Sequence, residues 1–359
     1  MAISWLKKAV FYIFLIISLL VFMEICLRIG ALIRKDSCAF LNDDVIGYRM
    51  RPHIVFGSIT TNEYGFNDID HPLKQKKGYA RAAFIGDSFT FGLVRKENFV
   101  FAVEQKALAD GIKLETLNMG IPGADPEAYL KILKNDAVKM GCNTVAVVFF
   151  VGNDIIQSHP DFETRVNLGL PRMLLRYPWN IGLSLEYCYT YRIFRIGLRL
   201  IREHIRPKGE EGTFERENFL DIEKRLLPIY RKRCTPFICD CYAATLKIMQ
   251  SLSIQAKESK MKFFVVLAPD EIQVNEALQA DLFKTSRLNG SHYDFQLPQR
   301  IIKNYLDEQG VLCLDLLPAF KNQTKKTSLY IKQDTHWNKT GHDLAAEQIW
   351  NFMKENKLM

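Results

Sequence analysis

Histidine is scarce in this chain, with seven residues in 359. Five of them, His53, His71, His159, His204 and His292, stand in no repeated or carboxylate-flanked setting that singles them out. Chemistry that needs an imidazole base therefore has few places to find one. The eight cysteines are scattered, and their one cluster, C-T-P-F-I-C-D-C at 234–241, lacks the second ligand pair or the histidines of a structural zinc site. A disulfide from Cys234 to Cys239 or Cys241 in an oxidising compartment is one reading of it, and unpaired thiols are the other. There is no internal repeat and no low-complexity tract, which excludes a solenoid and a disordered chain. Nucleic-acid binding has no support either, because no known module is present and the basic residues are not interleaved with aromatic side chains that could stack on bases.

What is present is the composition of a folded protein, 48% hydrophobic and 25% charged, with a moderate net charge of +8. From 9 to 23 every residue is apolar except Tyr12 and Ser18, and the run extends to Ile33 if Glu24 and Arg28 are tolerated. A spanning helix needs about 20 residues. Glu24 and Arg28 are four apart and can pair on one helix face, which softens their cost in a membrane. No small-x-small cleavage site follows cleanly, so the run reads as an N-terminal transmembrane anchor over 1–35. Lys7 and Lys8 before it nearly balance Arg28, Arg34 and Lys35 after it, and charge alone leaves the orientation open.

A lead-in segment rich in turn formers, 36–80, precedes the main domain, 81–359. Short stretches rich in Val, Ile, Leu or Phe at 82–85, 114–118, 145–151, 263–268 and 311–316 read as strands, with helix-length stretches such as 99–109 and 126–140 between the first three. That alternation predicts an α/β fold with a parallel sheet. Ligands of such sheets sit beyond the carboxyl ends of the strands. Gly86-Asp87-Ser88, Asn118-Met119-Gly120 and Gly152-Asn153-Asp154 all fall there, which brings a hydroxyl, a glycine turn and a carboxamide to one rim.

A helical insertion at about 156–236 interrupts the pattern. Within it Arg192, Arg195, Arg199, Arg202 and Arg206 recur at spacings of three and four, one stripe on a helix. Like charges at that spacing repel by about 0.2–0.5 kcal/mol per pair. An anionic lipid or an acidic glycan against the stripe would relieve this, and so would a solvated face neutralised by Glu186, Glu203, Glu210 and Glu211.

Ser88 in F-I-G-D-S-F-T-F-G reads either as a nucleophile on a tight strand-to-helix turn or as a cap. A serine needs a base, and the base an orienting group. His336, in Q-D-T-H-W-N-K-T-G-H, has Asp334 two residues before it, and its loop follows the last strand to the same rim. Asp334, His336 and His342 lack a second carboxylate–histidine group, so no metal is expected, and His342 reads as a packing residue.

Taken in order, F-I-G-D-S-F-T-F-G, N-M-G-I-P-G, V-G-N-D and D-T-H-W-N-K-T-G-H resemble the four blocks of the SGNH (GDSL-type) hydrolase family, across residues 84–342. The resemblance implies a flavodoxin-like three-layer α/β/α sandwich, with Ser88 as nucleophile, His336 as base and acid, and Asp334 orienting it. It implies an oxyanion hole from the Ser88 and Gly120 amides and the Asn153 side chain, no cofactor, and a bracing role for Asp87. The common block has two residues between Asp and His. Here Thr335 stands alone, as in the branch linked to exopolysaccharide acetylation. T-N-E-Y-G-F-N-D and V-V-L-A-P-D-E-I-Q-V resemble membrane-tethered bacterial members, which implies a single-pass protein of the cytoplasmic membrane with its domain facing the periplasm or cell exterior. The expected activity is a serine esterase removing acetyl or another small acyl group from an envelope glycan or lipid. An O-acyltransferase acting on an extracellular polysaccharide with the same triad, and a silent glycan-binding subunit, are the alternatives.

Overall fold

The structure is a computed structural model that describes residues 2–33, 39–161, 190 and 213–359. The chain divides into two compact units, Met1–Cys38 with Asp161–Glu210, and Ala39–Pro160 with Glu211–Met359.

In the first unit, helix α1 (Ala2–Ile33) contains one stretch, Lys7–Ile29, long and apolar enough to cross a membrane, with a mean hydropathy of 2.7. Arg28 Nε donates to Glu24 Oε1 at 2.8 Å, the pairing expected from the four-residue spacing. The arginines of the 192–206 stripe lie outside the described residues.

The second unit opens with two small antiparallel hairpins, β1 (Phe40–Asp43) with β2 (Gly47–Met50) and β3 (Val55–Phe56) with β4 (Ile59–Thr60). Its sheet has five parallel strands, β5 (Ala80–Gly86), β6 (Leu114–Gly120), β7 (Thr144–Phe150), β8 (Lys262–Ala268) and β9 (Leu312–Asp315), in the order β6-β5-β7-β8-β9. This is the flavodoxin-like order, and the place where it reverses lies between β5 and β7. The five strands fall where the apolar stretches of the sequence put them. β7, T-V-A-V-V-F-F, is buried throughout because helices cover both faces of the sheet.

On one face α3 (Phe99–Ala109) packs with α12 (Lys339–Glu355), and Val103, Ala107, Ile349 and Met353 join Phe84, Val148 and Val266 of the sheet in one core. On the other, α4 (Pro126–Ile132) and α5 (Asp154–Gln157) pack against α7 (Pro236–Glu258), which also contacts β8. The remaining helices are α2 (Ser88–Phe91), α6 (Arg216–Leu226), α8 (Glu271–Val274), α9 (Glu276–Ser286), α10 (Leu297–Glu308) and α11 (Leu317–Thr324). The helix expected over 126–140 is α4 followed by a π-helical turn, Leu133–Ala137. Helix starts follow local chemistry. Asp125 caps α4 through the Ala128 N–H at 2.8 Å with Pro126 at the first helical position, and Thr235 caps α7 ahead of Pro236. The cysteine cluster resolves into a Cys234–Cys239 disulfide with a Cα–Cα distance of 5.7 Å, while Cys241 is buried and stands outside that disulfide.

Candidate active site

β5 delivers Ser88 at the start of α2. The chain turns so sharply that a Cβ on Gly86 would lie 2.2 Å from Thr90 Oγ1 and 2.8 Å from Val148 O, which only glycine avoids. Asp87 is fully buried and caps α2, its Oδ1 accepting the Phe89 N–H at 2.9 Å. Burial pushes its carboxyl above the usual range, although the Phe89 amide, His336 and Asn153 pull the other way. Ser88 is thus followed, not preceded, by the helical turn that Asp87 caps, and its hydroxyl stays free for other work.

That hydroxyl meets His336. Nε2 of His336 lies 2.8 Å from Ser88 Oγ, and Nδ1 lies 2.6 Å from Asp334 Oδ1. The same Oδ1 accepts the His336 backbone N–H at 3.0 Å. The one-residue spacing is therefore sufficient, because an Asx-type turn folds the carboxylate back onto both the amide and the ring two residues ahead. An Nδ1–H given to Asp334 leaves Nε2 as acceptor for the serine proton. Burial lowers the His336 proton affinity, but the hydrogen bond and charge of Asp334, with Asp87 behind, outweigh it and raise the pKa above 6.5. Burial would raise Asp334, yet the bonds from His336 and the Thr213 hydroxyl hold it below the usual carboxylate range. Phe89 flanks the imidazole at 5.1 Å between ring centres and is itself stacked on Phe150.

The expected oxyanion donors fare differently. Asn153 lies close, its Nδ2 donating to Asp87 Oδ2 at 3.4 Å. Gly120 is a correction. Its N–H already donates to Asn118 Oδ1 at 3.0 Å, and a Cβ there would lie 2.2 Å from the Phe91 backbone nitrogen. Gly120 is the close-packing contact beneath α2, and its amide is occupied. Three residues on, Gly123 is exposed, takes a left-handed φ of +77° and stands in the turn after β6.

A frame of amides holds α2 in place. Asn98 donates to Thr90 O and Phe91 O at 3.0 Å each, Asn118 to Thr90 O at 2.9 Å, and Asn67 to Phe91 O at 2.6 Å. Asp68 accepts the Asn118 N–H at 2.9 Å and pairs with Arg95 at 2.8 Å. Asn67 and Asp68 belong to T-N-E-Y-G-F-N-D, so that motif of the lead-in segment clamps the turn after β5 and the end of β6. His342 packs as expected, accepting the Phe99 N–H at 3.3 Å, and burial takes its pKa down to about 3, leaving it neutral.

Sequence reasoning missed a group of buried acids. Burial raises the pKa of all three of Glu223, Asp270 and Glu271, and the charges of Asp270 and Glu271 push Glu223 up further, as Asp270 does Glu271. Asp270 Oδ2 accepts the Tyr230 hydroxyl at 3.2 Å and stands 3.2 Å from where a Cβ of Gly152 would be. Both oxygens of Glu223 lack a hydrogen-bond partner among the described residues. Asp270 and Glu271 were in view within V-V-L-A-P-D-E-I-Q-V, but Glu223 is distant in sequence and carried no signal.

Residues 242–359 match the family model described as SGNH hydrolase-like domain, acetyltransferase AlgX. Over those residues the chain is similar to an SGNH hydrolase-like domain. The match to that SGNH hydrolase-like model takes in Asp334 and His336, while Ser88, Gly120 and Asn153 lie before it. A serine–histidine–aspartate chain of hydrogen bonds is the arrangement an esterase or acyltransferase uses. Among solved structures, the acetyl xylan esterase AlAXEase is 13% identical, with 76% of this chain and 98% of that one covered at a TM-score of 0.44. Axe2, an acetylxylan esterase from Geobacillus stearothermophilus, is 15% identical over 78% and 96% at 0.42. A lipase/acylhydrolase from Enterococcus faecalis is 12% identical over 77% and 96%, also at 0.42. Likeness at that level carries no conclusion about substrate. No curated protein matches the chain.

Proposed function

We propose that the protein is a membrane-tethered serine esterase that removes acetyl or another small acyl group from a cell-envelope glycan or lipid. The observation that carries this reading is the continuous chain from Ser88 Oγ through His336 to Asp334, at 2.8 and 2.6 Å. Ser88 Oγ attacks the ester carbonyl carbon and gives its proton to His336 Nε2, while the carbonyl electron pair moves onto oxygen. Asp334 stabilises the imidazolium. Collapse of the tetrahedral intermediate expels the alcohol, which takes the proton from Nε2 and leaves an acyl-serine. Water then repeats the sequence and releases the acid.

The oxyanion needs fixed donors. Ser88 N–H and Asn153 Nδ2 are two. With the Gly120 amide occupied, Gly123 is the third in this reading, since it lies in the turn that follows the same strand and is exposed.

The match to an acetyltransferase model favours a second reading in which a sugar hydroxyl, not water, resolves the acyl-serine. Both readings use the same residues, and an intact triad argues against a silent glycan-binding subunit. Helix α1 would hold the protein in the cytoplasmic membrane, and the Cys234–Cys239 disulfide fits a domain facing an oxidising exterior. The 192–206 arginines would face an anionic lipid or acidic glycan.

The test uses full-length protein in detergent with a chromogenic acetyl ester, with and without oligosaccharides, beside Ser88→Ala. Free acetate and acetylated sugar are both quantified by mass spectrometry. Serine-dependent acetate alone supports the esterase, and serine-dependent acetylated sugar the transferase. Near-normal turnover by a folded Ser88→Ala would remove Ser88 from the nucleophile role.

A further inference from the structure

Glu24 is a carboxylate inside the Lys7–Ile29 span, five residues from its end. At 1.5 Å per residue that is about 7.5 Å along the helix. A lone carboxylate at such a depth is costly, about 2.5–3.5 kcal/mol for Asp near a helix centre on insertion scales. Glu24 is not alone. One oxygen accepts Arg28 Nε at 2.8 Å, and the other accepts both the backbone N–H and the hydroxyl of Thr190 at 2.9 Å each.

A second observation points the same way. Across residues 7–29 only Glu24 and Leu27 are partly covered, and all the others are exposed. These two are three apart, on one face of the helix. The cover is therefore local, and it sits where Thr190 binds.

We infer that the segment bearing Thr190 is a second membrane-associated element, latched onto α1 at the depth of Glu24. A backbone amide held 2.9 Å from a spanning helix's carboxylate lies at that carboxylate's depth. The sequence around Thr190 suits such a place. Tyr187, Tyr189 and Tyr191 are its neighbours in sequence, and tyrosine is a residue enriched at membrane–water boundaries. The partner is a lipid surface, and the latch would keep the insertion on the bilayer that holds the anchor. This deepens the anchoring reading and rests on it.

The experiment uses the full-length chain in vesicles, with Cys26, Cys38 and Cys188 changed to serine. A small fluorophore is attached at Thr190→Cys, which leaves the backbone bond to Glu24 in place, or at Phe14→Cys in the middle of the span. The expected result is that the Thr190 label loses emission to lipids brominated near the headgroup and keeps it in aqueous iodide. Adding Glu24→Leu should reverse that pattern, while Glu24→Gln should retain it. A Phe14 label untouched by brominated lipid would mean that α1 does not span, and the anchoring reading itself falls. A lipid-quenched Phe14 label with an iodide-quenched Thr190 label overturns the second element alone. Lipid quenching at Thr190 that survives Glu24→Leu overturns the latch.

Discussion

In the proposed reaction, single residues at this site divide into those that would touch the reacting ester and those that hold the ground beneath it. Asn153 and Gly120 illustrate the two kinds. Asn153→Ala should lower turnover of an acetyl ester by about 10²–10³ with little change in melting temperature, because one donor to a developing charge is lost. Gly120→Ala should instead lower the melting temperature sharply, since its Cβ would lie 2.2 Å from the Phe91 nitrogen. A Gly120→Ala protein that melts like wild type would return Gly120 to the rim. Ser88, Asp334 and His336 were legible because each sits in a short block whose chemistry is local. The choice between Gly120 and Gly123 was not, because N-M-G-I-P-G offers two glycines and only the fold shows whose amide Asn118 has taken. Glu223 is the opposite case to Ser88, a residue whose significance comes wholly from neighbours remote in sequence.

At the scale of elements, the strand pattern was readable because five buried parallel strands are near-continuous apolar runs. The ends were less so, as with β9, which is Leu312–Asp315 where 311–316 was expected. Packing between elements could not be read at all, and it is there that the buried acids gather, α6 bringing Glu223 to the Asp270–Glu271 turn at the end of β8. Burial raises Asp270 and Glu271 to about 7, from ordinary values near 4. The folded state thus holds these protons more tightly than the unfolded chain. Their contribution is fully present below about pH 4 and is lost as the pH rises to about 7. Glu223→Gln removes one member of the like-charged set. Denaturant unfolding at pH 5 and pH 8 should show a smaller stability gap for the variant than for wild type. An equal gap would mean that Glu223 takes no part in this titration.

For the molecule as a whole, the sequence supplied an apolar helix and a hydrolase-like domain as separate facts, and each holds within its own unit. The arginine stripe belongs to this scale, because its value depends on what the anchored protein lies against. In full-length protein held in neutral detergent, changing Arg195, Arg199 and Arg202 to Gln should weaken binding to micelles doped with an anionic lipid. Binding should also lose part of its dependence on salt, since fewer charges are screened. Equal retention at every salt concentration would leave the stripe a solvated face.

The hydrogen bond between His336 and Ser88 closes a gap of 248 residues. A ribosome makes the serine first and the histidine last, with four more strands and their crossovers between. Sheets built from such distant pairings assemble slowly. While it is being made, the nascent chain carries a serine with no base beside it. Activity arrives only when the final loop docks, so the order of synthesis acts as a safety catch that needs no inhibitory peptide.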